Sequence, residues 1–253
     1  MLRRTWILAR WTLTELLRER VLYIALLFVG LLVVGSSVLT PLAPGAQRKV
    51  VADFALASID ALGVLVIVLS GCGLVRRDIE RRSLDVLLCK PVSRLEYLVG
   101  KCLGLFASLA ALVVLMTVLF FVVVRATGGI FAPAYSWAIV ATLLELLVMA
   151  SIAVFFSTVT SPMLAAFFTL ALFAAGHLQE TLVRLANNPT ISDIAAMVRW
   201  LVPALDLYDV RAEVVHGVHI PPGQLEGGAA YAAAYALSAL YLASLVFRRK
   251  ELK

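Results

Sequence analysis

The 253 residues are 62% hydrophobic and only 15% charged, with a mean hydropathy of +0.97. A water-soluble globule of this size has no core able to hide so much apolar surface, so the composition excludes a soluble enzyme or binding module and makes the bilayer the natural solvent. The net charge of +6 is accounted for by basic segments lying beside anionic lipid headgroups, without nucleic acid.

In chain order, residues 3–20 form an amphipathic segment. Trp6, Ala9, Leu13, Leu16 and Leu17 share one side of a helical wheel, and Arg3, Arg10, Thr14, Glu15 and Arg18 share the other. It is expected to lie along the membrane interface, and a cytoplasmic extension of the first span is the plainer alternative. About 20 apolar residues are needed to cross roughly 30 Å of hydrocarbon. Six stretches approach that length: 21–39, 56–75, 101–124, 137–156, 163–179 and 227–247. The fourth and fifth are divided by "STVTSP" (Ser157–Pro162), whose proline and polar cluster favour two helices over one re-entrant hairpin. The expected fold is therefore all-α: one transmembrane domain spanning residues 1–253, with six transmembrane helices and an interfacial N-terminal helix.

The basic residues orient it. With both termini cytoplasmic, 16 of the 22 Lys and Arg residues fall on the inner side, as the positive-inside rule requires. No cleavable signal peptide is expected, since residues 1–20 are charged and the first apolar run is long enough to remain as a span. Cys72, Cys89 and Cys102 match no zinc spacing and read as packing residues.

Short outer loops precede spans two and four. The segment 180–226 is longer and carries helical signals of its own: Ser192 as an N-cap followed by Ile194–Val202, and a short helix over Asp206–His216 with Gly217 beyond its end. Its Glu213, His216 and His219 offer a weak pattern for zinc or copper, against which solvated loop polarity is the plainer reading.

The most charged region is the loop 76–100. From Arg76 to Lys101 the chain holds seven Lys and Arg and four Asp and Glu. Asp78–Cys89 reads as a helix with Ile79, Ser83, Val86 and Leu87 on one side, ended by Lys90-Pro91, and Ser93-Arg94-Leu95-Glu96 matches a capping box. A bare connector needs only a few residues, so the length and the mixed faces point to a docking element. A topology-fixing solvated loop remains the alternative.

The run "E…RRSLDVLLCKPVSRLEYLVGK", with Glu80, Ser83, Leu87, Leu88, Pro91, Val92, Ser93, Arg94, Tyr97, Gly100 and Lys101, resembles the corresponding loop of ABC-2 type transporter permeases, closest to the branch that includes multicopper-enzyme maturation permeases. "FFSTVTSP" (Phe155–Pro162), Gly176-His177, "LVPALDLYDVRAEVVHG" (Leu201–Gly217) and "FRRK" (Phe247–Lys250) extend the likeness over nearly the whole chain. The resemblance implies a permease subunit of an exporter in a bacterial cytoplasmic membrane, paired with a second permease copy or close paralogue. Each copy would be bound by a separate ABC ATPase that holds ATP and Mg. It further implies that residues 78–89 form a coupling helix, with Ile79, Glu80, Arg82, Ser83, Val86 and Leu87 meeting the ATPase. No cofactor is expected in this chain, which has no G-x-x-x-x-G-K-[ST] phosphate loop.

Glu145 falls near the middle of span four, where an ionised side chain costs about 3 kcal/mol or more. It must face protein or a watery path. It either lines the translocation route or staples helices, and no charged partner is visible in the other spans. The rival function is an intramembrane enzyme: "FAAGH" (Phe173–His177) and "QETLVR" (Gln179–Arg184) are close to motifs of prenyl-protein proteases, but they come in the wrong order. A non-transporting assembly subunit is a further alternative.

Overall fold

A computed structural model describes residues 10, 12–14, 21–39, 47–80, 94–126, 134–179, 202–216 and 222–249. Among the described residues there are helices and turns and no strand. In chain order the helices are α1 (Val21–Leu39), α2 (Gln47–Val66), α3 (Leu74–Glu80), α4 (Arg94–Ala126), α5 (Ala134–Val159), α6 (Pro162–His177), α7 (Arg211–His216) and α8 (Pro222–Arg249). A π-helical turn, Ile67–Gly71, joins α2 towards α3, and a 3-10 turn, Asp206–Tyr208, precedes α7. Among the described residues four helical stretches are long and apolar enough to cross a membrane: Lys49–Arg77, Glu96–Arg125, Ala134–Val159 and Gly223–Val246. The apolar stretches Leu26–Gly35 of α1 and Pro162–His177, all of α6, are shorter.

Several helices outrun the spans expected from hydropathy. The second begins at Gln47 instead of residue 56, because Gln47–Asp53 carries enough helix formers to continue the helix beyond its apolar part. α4 begins at Arg94, immediately after the expected capping serine. The helix break around "STVTSP" narrows to Thr160 and Ser161, with Ser161 extended at ψ 156° and Pro162 starting α6. Ser157 and Thr158 stay helical. The Thr158 and Thr160 hydroxyls donate to the carbonyls of Phe155 and Phe156 at 2.6 and 3.0 Å, which spares the helix the cost of those groups in an apolar setting. The short helix expected over Asp206–His216 is instead a 3-10 turn and a separate α7, with Asp209 and Val210 between them. Of the expected N-terminal interfacial helix, Arg10 and Thr12–Thr14 are described; they are helical, with the Thr14 hydroxyl donating to the Arg10 carbonyl at 2.7 Å.

The bundle is organised around α5, which packs against α2, α3, α4, α6, α7 and α8, most extensively against α8. α8 buries Ala232, Ala236, Ala239 and Ala243, a small-residue stripe that lets two backbones approach closely where dispersion, not water exclusion, drives association. Its opposite side exposes Leu237, Tyr241, Leu242 and Leu245. α1 follows the same logic: Ile24, Phe28 and Leu32 are buried, while Tyr23, Leu26, Leu27, Val33 and Val34 face outward, and α2 is its principal neighbour. α6 exposes Met163, Leu164, Phe167, Phe168 and Leu170. Such outward apolar belts suit lipid contact.

Candidate functional site

Where α6 ends, three helices bring ionisable side chains together. Asp60 comes from α2, Glu145 from α5 and His177 from the last position of α6, and one ligand-type atom of each lies within 4.8 Å of the others. His177 Nε2 stands 3.3 Å from Glu145 Oε1. Asp60 and Glu145 are 4% and 3% exposed. Glu145 therefore does have ionisable partners, contrary to the sequence-based expectation. Asp60 stands within the expected second span, 56–75, and His177 within the fifth, 163–179, but nothing in the sequence sets the helix registers that join them.

The site sits oddly in depth. Glu145 is eleven residues into α5 and Asp60 thirteen into α2, roughly 16 and 20 Å along those helices, whereas His177 closes its own helix. α6 thus stops level with the interiors of its neighbours. Residues 202–216 occupy the space beyond it. Gly176 makes this possible: a Cβ there would meet Leu205 Cγ at 2.7 Å and the Pro203 carbonyl at 3.0 Å. The Gln179 side-chain amide donates to the Val202 carbonyl at 2.9 Å, the Ala204 N–H donates to the Tyr231 hydroxyl at 3.1 Å, and the Tyr208 hydroxyl donates to the Gly228 carbonyl at 2.8 Å. α7 packs on α2 and α5 with Val214 and Val215 buried. Non-helical backbone this close to a bundle interior is tolerable because its polar groups find protein partners.

This capping segment also brings charge. Arg211 Nε donates to Asp209 Oδ1 at 2.9 Å. Burial works against the Arg211 charge, but the hydrogen bond and charge of Asp209, with the carboxyls of Asp60 and Glu145, outweigh it and raise its pKa above the usual value. Burial raises the Tyr208 phenol, with Tyr231 and Glu145 adding to the effect. Two carboxyls, one imidazole and an arginine field can share protons or bracket a cation.

The other expected site lies at the opposite end of the long helices. The π-helical turn holds Ile67, Ser70 and Gly71 buried, and the Val75 N–H donates to Ser157 Oγ at 3.1 Å, tying α3 to α5. Ile79 and Glu80 lie on the backbone of α3; their side chains, and Arg82, Ser83, Val86 and Leu87 entirely, lie outside the described residues. After the loop, Tyr97, Gly100 and Lys101 are buried, with Lys101 Nζ 6.0 Å from the Tyr97 ring centroid. Glu213 is exposed on α7, while the His216 side chain and His219 lie outside the described residues. Of the protease-like motif, Gln179 is engaged with Val202, and 180–184 lie outside the described residues.

The family profile of ABC-2 family transporter proteins matches residues 13–252, spanning every helix from α1 to α8. The chain belongs to the ABC-2 transporter family. No curated protein matches it in sequence. An ABC-2 permease is a membrane component of a transporter, without an ATPase of its own, and works with an ABC ATPase subunit. That role agrees with a bundle whose outer faces are apolar.

Proposed function

We propose that this chain is the permease subunit of an ATP-driven exporter in a bacterial cytoplasmic membrane, with six spans and both termini cytoplasmic. It works as a pair with a second permease copy, each carrying an ABC ATPase beneath it. The observation that carries the reading is the family match across 13–252, which takes in the charged loop as well as the spans. α1 and α6 supply the two further spans, since both are apolar and both expose large hydrophobic side chains.

In this reading residues 78–89 dock on the ATPase through Ile79, Glu80, Arg82, Ser83, Val86 and Leu87. ATP-driven closure of the ATPase pair pushes on this loop, and α3, tied to α5 through Val75 and Ser157, passes the displacement to the bundle's central helix. A π-turn is a natural place for such a helix to yield, because one backbone bond per turn is already out of α register. The change at the far side is a rigid-body rocking of spans. Glu145 lies along the resulting route.

The test is whether the neighbouring reading frame encodes an ABC ATPase and whether that protein co-purifies with this chain. Val86→Asp is expected to abolish permease-stimulated ATP turnover while membrane insertion and yield stay normal. Full stimulation by that variant would overturn the docking assignment.

A further inference from the structure

We propose that Asp60, Glu145 and His177 form a binding site for one divalent first-row transition-metal ion, for which zinc is the best fit. The donor atoms come from α2, α5 and α6 and all lie within 4.8 Å of one another. A tetrahedral ion with bonds of about 2.0–2.1 Å has ligand-to-ligand edges of about 3.3 Å. His177 Nε2 and Glu145 Oε1 are already 3.3 Å apart. Asp60 completes a face once its carboxylate closes from within 4.8 Å to the same spacing.

Two further observations point to an ion. Asp60 Oδ1, Glu145 Oε1 and His177 Nε2 are buried without a hydrogen-bond partner, and such atoms are ordinarily satisfied in a folded protein. One cation at their centre satisfies all three. Its double charge balances the two carboxylates, so that they need not be buried as uncompensated anions. The histidine is also presented correctly. His177 Nδ1 faces the Phe173 carbonyl at 3.3 Å; in the neutral tautomer that donates from Nδ1 to this carbonyl, Nε2 offers its lone pair to the centre. Ligating histidines are usually held by such an outer partner.

The donor set selects the metal. One imidazole and two carboxylates suit zinc and its neighbours, whereas calcium and magnesium prefer all-oxygen shells and cuprous copper prefers sulfur. Three protein ligands leave a fourth position for water or an exchangeable group. The ion would fasten the end of α6 to α2 and α5 below the 202–216 cap. The site does not depend on the exporter assignment.

The full-length chain, purified in detergent through a tag without histidines and stripped by a chelator, is equilibrated with Zn²⁺. Elemental analysis should find one ion per chain, and cobalt loading should give the visible absorption of a tetrahedral centre. Zn²⁺ should also raise the wild-type Tm, a readout that needs no variant. Asp60→Asn, Glu145→Gln and His177→Gln should each weaken binding by more than the 10–100-fold typical of losing an outer-shell partner, while the double variant His216→Ala, His219→Ala keeps it. Absence of both a bound ion and a Tm shift in the wild type would overturn the site, as would unchanged binding in all three variants. Loss of the ion in the His216, His219 variant alone would move it to the outer loop. ATPase stimulation, measured on the same preparations, reports separately on the exporter reading.

Discussion

The α5–α8 seam and the α2–α5–α6 junction both lie against the same central helix, yet they are held together by opposite means. On the α8 side the buried stripe is made of alanines, Ala232, Ala236, Ala239 and Ala243, with no charge among them, and α5 is the principal neighbour of that helix. The junction places Asp60, Glu145 and His177 where three helices meet. Close packing of small residues costs nothing in desolvation and leaves no requirement for a partner. A buried carboxyl stays affordable only while something answers it. The seam is therefore expected to be a fixed joint, and the junction one whose geometry depends on protons, ions and the capping segment.

The largest effect on stability should come from overfilling the seam. Ala243 is fully buried in α8, and Ala243→Phe inserts a ring where backbones are close, costing about 3 kcal/mol. Fluorescence-detected size exclusion should show loss of the monodisperse peak; retention of a normal Tm would mean that the seam has slack. At the junction the corresponding steric change is smaller. Gly176→Ala drives a methyl against Leu205 and the Pro203 carbonyl, and a backbone oxygen cannot rotate away. About 2 kcal/mol is expected, together with faster proteolysis within 202–216.

These two variants also mark what sequence reasoning can reach. The membrane class and the long spans follow from local hydropathy, and the break before Pro162 follows from proline chemistry, so each was legible. The helix ends were less so, since Gln47–Asp53 continues a helix beyond its apolar part, although the capping box at Ser93 did mark the start of α4. Glu145 was visible as an expensive charge, and Asp60 only as an acidic residue near one end of the second span. Their meeting with His177 was not, because it depends on the rotation of three helices and on α6 ending early. Arg211, counted by sequence as one more outer basic residue, turns out to sit in the field of both carboxyls.

A smaller effect, about 1 kcal/mol, is expected from Tyr208→Phe, which removes the bond to the Gly228 carbonyl. It carries a pH signature. The Tyr208 phenol is raised, chiefly by burial, so the folded state favours the neutral form. That contribution is complete below about pH 10, where an unfolded tyrosine begins to ionise, and it is lost as pH rises through the folded value. Wild-type Tm should fall more steeply above pH 10 than that of the phenylalanine variant. Parallel curves would show that the capping turn does not shield this phenol.

The smallest change in stability should come from Glu145→Gln in chelator-treated protein, and it tests the comparison most directly. The substitution keeps the shape and replaces an ionisable carboxyl with an amide at a site where Glu145 is 3% exposed. Relief of desolvation then roughly offsets the lost contact with His177, leaving stability within about 1 kcal/mol of wild type and Tm unchanged or slightly higher. If the junction were a passive staple like the seam, permease-stimulated ATP turnover would follow Tm and barely move. If the carboxyl serves the transport cycle, turnover should fall by about tenfold or more while the fold is intact, because the residue would be retained for what its charge does during movement and not for the strength it lends at rest.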